Sequence, residues 1–202
     1  MTSNRHNKRD EQAVLDAARD CVLAVGVRRT TLTDIARRAG VSRMTLYRRW
    51  PDVRTIVADL MTREWTAVAT AVRPHTGDGG SAGPVREMLV DGLVSGVAEL
   101  RAHPLMRKIL DVDPELLLPY LLDRLGASQS AFLEIFEEAL AAGHADGSIR
   151  RDDPARQARA LLLVVQSFAL SGRTVAVPDD PALTYEAFDA ELRTILERTL
   201  AP

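Results

Sequence analysis

Residues 31–50 read TLTDIARRAGVSRMTLYRRW, from Thr31 to Trp50. Leu32, Ile35, Ala36, Ala39, Val41 and Leu46 recur at steps that put them on the facing sides of two short helices, with Ala36 the small residue at the close contact. Thr31 is placed to cap the first helix. Its hydroxyl can accept an N–H three residues on, where Asp34 can return a hydrogen bond. Gly40 supplies the turn, because a residue without Cβ takes a positive φ at no steric cost. Ser42 then caps a second helix that ends near Trp50, before Pro51 breaks the chain. The twenty residues describe a helix-turn-helix.

What remains outward on the second short helix is Arg43, Met44, Thr45, Tyr47, Arg48 and Arg49. Guanidinium groups match guanine O6/N7 and phosphate oxygens, threonine offers a hydroxyl and a methyl, and a phenol donates to phosphate. A surface helical hairpin with a solvated basic face would show the same charges. The short-helix, Gly-turn, short-helix geometry is what favours DNA.

Upstream, Ala13, Val14, Ala17, Ala18, Cys21, Val22 and Val25 form one helical face from about Asp10, which Gly26 ends. Met1–Arg9 is polar and basic with no apolar run behind it, so it reads as a short arm rather than a signal peptide, its Arg5, Lys8 and Arg9 either reaching phosphate or the minor groove or belonging to a disordered tail. Downstream, Asp52 caps a long helix over Val53–Val72. PHTGDGGSAGP at 74–84 reads as a linker. Helical stretches follow at about 85–101, 104–110, 114–124, 127–142, 154–172 and 184–200, with Pro104, Pro114 and Pro154 in first turns and Gly126, Gly143 and Gly172 at ends. The expected fold is all-α.

The net charge of −2 says nothing for nucleic acid, but it is unevenly spread. The first 72 residues hold 13 Lys/Arg against 8 Asp/Glu; the other 130 hold 13 against 20. The single cysteine, Cys21, excludes an intrachain disulfide and suits a reducing cytoplasm. No apolar run approaches the ~20 residues of a membrane span. An enzyme finds little support: His6, His75, His103 and His144 are scattered without metal-ligand spacing, and the glycines at 77, 79, 80 and 83 follow no strand. No catalytic residue, metal or cofactor is expected.

The run Thr31, Asp34-Ile35-Ala36, Ala39-Gly40-Val41-Ser42, Thr45-Leu46-Tyr47, Trp50-Pro51 resembles the tetracycline-repressor (TetR) family, and the match extends over residues 8–68. The resemblance implies a three-helix DNA-binding domain at 8–68 and a helical effector-binding and dimerisation domain at 69–202. It implies a homodimeric regulator of double-stranded operator DNA, most simply a repressor released by a small effector, which the scarcity of aromatics and internal charges in the second domain makes hydrophobic or amphipathic. Carried over by position, Thr31 and Tyr47 look like phosphate contacts, Arg43 and Thr45 like base contacts, and Arg48 like a backbone contact. Met44 is bulky for its position and is placed to touch a thymine methyl. Leu46 and Trp50 look like core residues, Trp50 standing where the family more often has Phe. The family often has Lys two residues after Pro51, as a phosphate contact; Val53 stands there, and Arg54 is the candidate replacement.

Candidate effector contacts are Leu89, Leu93, Val97, Met106, Ile109, Leu110, Leu117, Tyr120, Leu121, Phe132, Phe136 and Gln166, each equally readable as core. Candidate dimer contacts are Leu161, Leu162, Val165, Phe168, Phe188, Leu192, Ile195 and Leu196, on two helices whose broad apolar faces a monomer could also bury. The fourth helix, read as the one link between the two domains, is expected to carry the effector's signal. A DNA-binding architectural protein with no effector is the rival reading.

Overall fold

The computed structural model describes the backbone of residues 2–72 and 84–202, with side chains for 10–69 and 84–202. Among the described residues there are ten α-helices and no strand. They are α1 (Thr2–Val25), α2 (Leu32–Ala39), α3 (Arg43–Arg49), α4 (Val53–Val72), α5 (Val85–Ala102), α6 (Pro104–Val112), α7 (Leu118–Leu122), α8 (Ala127–Asp146), α9 (Pro154–Val175) and α10 (Tyr185–Leu200). A single 3-10 turn, Pro114–Leu116, joins α6 to α7.

Most ends follow local chemistry. Thr31, Ser42, Asp52, Asp153 and Thr184 each accept the N–H three residues on, satisfying a donor that the first helical turn leaves open. Four boundaries differ from the pattern. The first helix starts at Thr2 rather than Asp10, so the backbone of the basic arm is helical; no Pro or Gly interrupts residues 2–9, and a helix nucleated behind them propagates. The side chains of Arg5, Lys8 and Arg9, like the linker at 74–83, lie outside the described residues. The stretch at 114–124 splits into the 3-10 turn and α7, because Pro119 has no N–H to continue a helix. Gly143 and Gly172 sit inside α8 and α9 rather than at their ends, and α8 runs on to a left-handed Gly147 (φ 75°). Gly143 is where the buried Ile149 side chain rests, in space that a Cβ would occupy.

The chain folds into two compact units. The first comprises Met1–Trp65 and His103–Leu125. Its core gathers Val14, Ala18, Val22, Ile35, Leu46, Ile56 and Leu60, and α6, packed on α1, adds Leu105, Met106 and Ile109. The His103 ring caps α6 and stands edge-on to Trp65 at 5.1 Å. Burial holds its pKa below the usual imidazole value, despite Glu64 at 3.3 Å.

The second unit comprises Thr66–Ala102 and Gly126–Pro202. In it α5, α8, α9 and α10 enclose Leu89, Val90, Leu140, Ala158, Leu192 and Leu196. Arg101 meets Asp189 in a two-pronged ion pair at 3.0 and 2.7 Å while lying over the Tyr185 ring.

This division differs from the sequence-based boundary. The N-terminal break falls at Trp65/Thr66 rather than 68/69, and residues 103–125 go with the first unit. The reason is apolar: the α6 face of Leu105, Met106 and Ile109 finds its partner on α1. The chain therefore passes between the units three times, and the fourth helix is not the one link between them.

Candidate nucleic-acid interface

The turn that aims α3 is built at the end of α2. Gly40 takes φ 68°, and the N–H of Val41 reaches back to the Ala36 carbonyl at 3.1 Å, closing a Schellman cap. Ser42 then opens α3 by accepting the Thr45 N–H at 3.1 Å. The Ser42 and Thr45 hydroxyls also bond each other at 2.8 Å.

One side of α3 is anchored inward. Leu46 is 1% and Trp50 3% exposed, so both are core as expected. The indole N–H donates to Asp59 Oδ2 on α4 at 2.8 Å. Tryptophan in place of phenylalanine brings a polar N–H into the core, and Asp59 is the acceptor it requires. Arg49 lies over the Trp50 ring at 5.2 Å and pairs with Glu11 on α1 at 2.5 Å, so it braces the helix. Replacing Asp59 by alanine leaves that indole unsatisfied and should cost stability at the lower end of the roughly 1–3 kcal/mol range for a stranded donor. Trp50→Phe in the same background should recover most of the loss in denaturant unfolding, and a double mutant no more stable than Asp59→Ala would contradict the assignment.

The other side faces solvent. Arg43, Met44, Thr45, Tyr47 and Arg48 are all exposed, Met44 most of all at 79%. At about 100° per residue these five cover a continuous arc of a seven-residue helix. Among the described residues Arg43 and Arg48 make no ion pair or hydrogen bond. Four other arginines of the first unit are committed: Arg37 to Asp34, Arg38 to Asp20, Arg28 to Glu115 and Arg63 to Asp16. Positive charge without an internal counter-ion thus collects on the outer face of α3, where an external anion can meet it.

The remaining candidates stand beside that face under different constraints. Thr31 is exposed, and its hydroxyl accepts from the Asp34 N–H at 3.1 Å and donates to Asp34 Oδ2 at 2.6 Å. The Asp34 carboxylate therefore answers the hydroxyl and Arg37 rather than the backbone N–H of Thr31. Val53 is half-buried, and Arg54 beside it is exposed. The first turn of α4 already holds an anion of its own, since Asp52 accepts both the N–H and the hydroxyl of Thr55, at 2.8 and 2.9 Å. Those bonds hold the Asp52 carboxyl below its usual pKa, and the positive charge of Arg54 adds to them. Arg54 acts in the same direction on Glu115.

The candidate pocket residues divide between the units. Met106, Ile109 and Leu117 are buried in the first, with Leu110 and Tyr120 half-buried and Leu121 exposed. Leu89, Leu93, Val97 and Phe136 are buried in the core of the second, and Phe132 stacks on Phe136 at 6.2 Å. Gln166 accepts from Gln129 Nε2 at 2.7 Å. Of the dimer candidates, Leu161, Leu162, Leu192 and Leu196 are buried in the second unit's own core, while Val165, Phe168, Phe188 and Ile195 are half-buried. Leu163 on α9, not among the candidates, is 68% exposed. It lies off the apolar face that the spacing picks out.

Residues 14–60 match the family model described as bacterial regulatory proteins, tetR family. The chain is 40% identical over 174 residues to an uncharacterised HTH-type transcriptional regulator of Mycobacterium tuberculosis, covering 86% of this chain and 87% of that protein. The Rhodococcus erythropolis transcriptional repressor QsdR, of the TetR family, shares the fold with a TM-score of 0.68 at 15% identity, over 96% of this chain and 97% of that one. SmeT, solved in a complex with triclosan, gives 0.64 at 20% identity, over 96% and 92%. The chain belongs to the TetR family of bacterial transcriptional regulators.

Proposed function

We propose that this regulator is a cytoplasmic homodimeric repressor that reads a near-palindromic operator through α3 and leaves it when a small hydrophobic or amphipathic effector binds. The observation that carries this reading is a pair of exposed arginines, Arg43 and Arg48, without an ion-pair partner among the described residues, on a helix whose opposite face is locked by Leu46 and Trp50. A rigid helix holds its side chains in one register against a groove. Arg43 and Thr45 read base edges, Met44 meets a thymine methyl, and Tyr47, Arg48 and Thr31 hold phosphates. With the Thr31 hydroxyl proton engaged by Asp34, its backbone N–H is the free donor for a phosphate oxygen. Arg54 takes the phosphate contact that Val53 cannot make. Two such helices fit half-sites about 34–36 Å apart, or a related multiple. In this reading the protein performs no catalysis and needs no cofactor.

Selection of duplexes from a randomised pool tests the first step. A two-fold symmetric motif is expected. Retention of duplexes without any enriched sequence would turn the reading toward an architectural DNA-binding protein.

The dimer is assigned to α9 and α10. Since Leu161, Leu162, Leu192 and Leu196 are spent on the protomer's own core, the half-buried Val165, Phe168, Phe188 and Ile195 remain for a partner, joined by Leu163. Leu163→Arg removes nothing from the core and places a charge in the interface, so the protomer should stay folded while dimer dissociation strengthens at least about tenfold. Sedimentation at micromolar concentration reads this directly; an unchanged dimer would move the interface elsewhere. Release is a population shift, in which the effector binds best to a conformer whose recognition helices are mis-spaced. The QsdR repressor and the SmeT–triclosan complex support the repressor and small-molecule parts.

A further inference from the structure

Asp113 closes α6 and is wholly enclosed, at 0% exposure. A carboxylate in such a place is costly unless donors surround it. Its donors come from 86 and 85 residues upstream: the Val27 N–H at 2.7 Å and, more weakly, the Arg28 N–H at 3.4 Å. The Arg28 guanidinium lies 3.5 Å from the same carboxylate and also pairs with Glu115. These are the backbone groups left open where α1 stops at Gly26, whose φ of 85° turns the chain. Thr30 completes the loop, its hydroxyl donating to the Gly26 carbonyl at 2.7 Å. The next residue, Thr31, caps α2.

We propose that Asp113 is a positioning residue for operator reading. By holding the loop Gly26–Thr30 to the end of α6, it sets the direction in which α2 leaves α1, and so where α3 presents Arg43 and Arg48. Residues 103–125 thereby become a working part of the DNA reader, and a displacement of α6 reaches α3 through this clasp as well as through α4. Clasp closure and operator occupancy then stabilise each other by linkage. The proposal rests on α3 being the recognition helix.

The test uses the full chain and a duplex selected from a randomised pool by the wild-type protein, with an unrelated duplex for comparison. At a temperature where Asp113→Ala keeps wild-type helical circular dichroism, its affinity for the selected duplex should fall about tenfold or more, and for the unrelated duplex much less. Asp113→Asn should recover part of the loss, since its carbonyl oxygen can still accept the Val27 N–H. In the wild type, the selected duplex should slow hydrogen exchange at the Val27 amide, a readout that stands even where the alanine variant fails to fold. Wild-type affinity in folded Asp113→Ala, or Val27 exchange indifferent to DNA, would overturn the proposal. If Arg43→Ala also left affinity unchanged, the α3 reading itself would fail; if Arg43→Ala weakens binding and Asp113→Ala does not, the clasp alone is wrong.

Discussion

Arg43→Ala and Arg48→Ala should leave the protein as stable as the wild type and weaken its hold on the operator. Neither side chain pairs with anything among the described residues, and both are exposed, so folding should shift by no more than about 0.5 kcal/mol. Their effects on DNA should differ in kind. Loss of a bidentate guanine contact at Arg43 should cost about 1–3 kcal/mol on the selected duplex and relax the preference at one base pair of each half-site. Loss of a phosphate contact at Arg48 should weaken every duplex alike and reduce the slope of log affinity against log salt by about 1. In a dimer each loss is felt in both half-sites, so the double variant should sink toward non-specific binding. Fluorescence anisotropy over a salt series separates the two roles. A salt slope unmoved by Arg48→Ala would remove it from the phosphate contacts.

Gly26→Ala should be the most damaging single methyl in the first unit. The residue stands at φ 85°, where a side chain strains the backbone by about 1–2 kcal/mol. The new Cβ would also lie 2.8 Å from Val112 Cγ1 and 2.9 Å from Asp113 Oδ2, both closer than such atoms approach. Overpacking of this kind adds about 1–3 kcal/mol. A total of about 2–5 kcal/mol should lower the thermal midpoint by several degrees or more for a chain of this length. Gly40→Ala is the internal comparison. It also carries a positive φ, 68°, but a Cβ there meets nothing within 4 Å, so only the backbone strain should appear. Equal losses for the two variants would mean that the contact with α6 contributes nothing.

Those two glycines mark how far local reading reaches. Gly40 is legible because its task is local: it sits between a capped short helix and Ser42, and the pattern of twenty residues requires a turn there. Gly26 is legible only as a helix stop. Nothing near it in sequence announces Asp113, because that carboxylate lies 86 residues beyond the neighbouring Val27 that it holds. The same contrast holds for Trp50, which is readable as core from its spacing, while its need for Asp59 follows from the indole N–H and from α4 lying alongside. Leu161 and Leu192 fit a dimer face and a monomer core equally well by periodicity. Burial within the second unit separates what the spacing cannot.

By itself, then, the sequence determined the all-α fold, the helix-turn-helix at 31–50 and the side chains that α3 presents. These follow from capping, turn chemistry and 3.6-residue periodicity, which act over a few residues. Tertiary structure alone decided that residues 103–125 join the DNA-binding unit, that Arg49 is held by Glu11 while Arg43 and Arg48 pair with nothing among the described residues, and that a buried carboxylate clasps the start of the helix-turn-helix. Each depends on which distant surface an amphipathic helix finds to bury itself against, and that choice is made by packing across the chain.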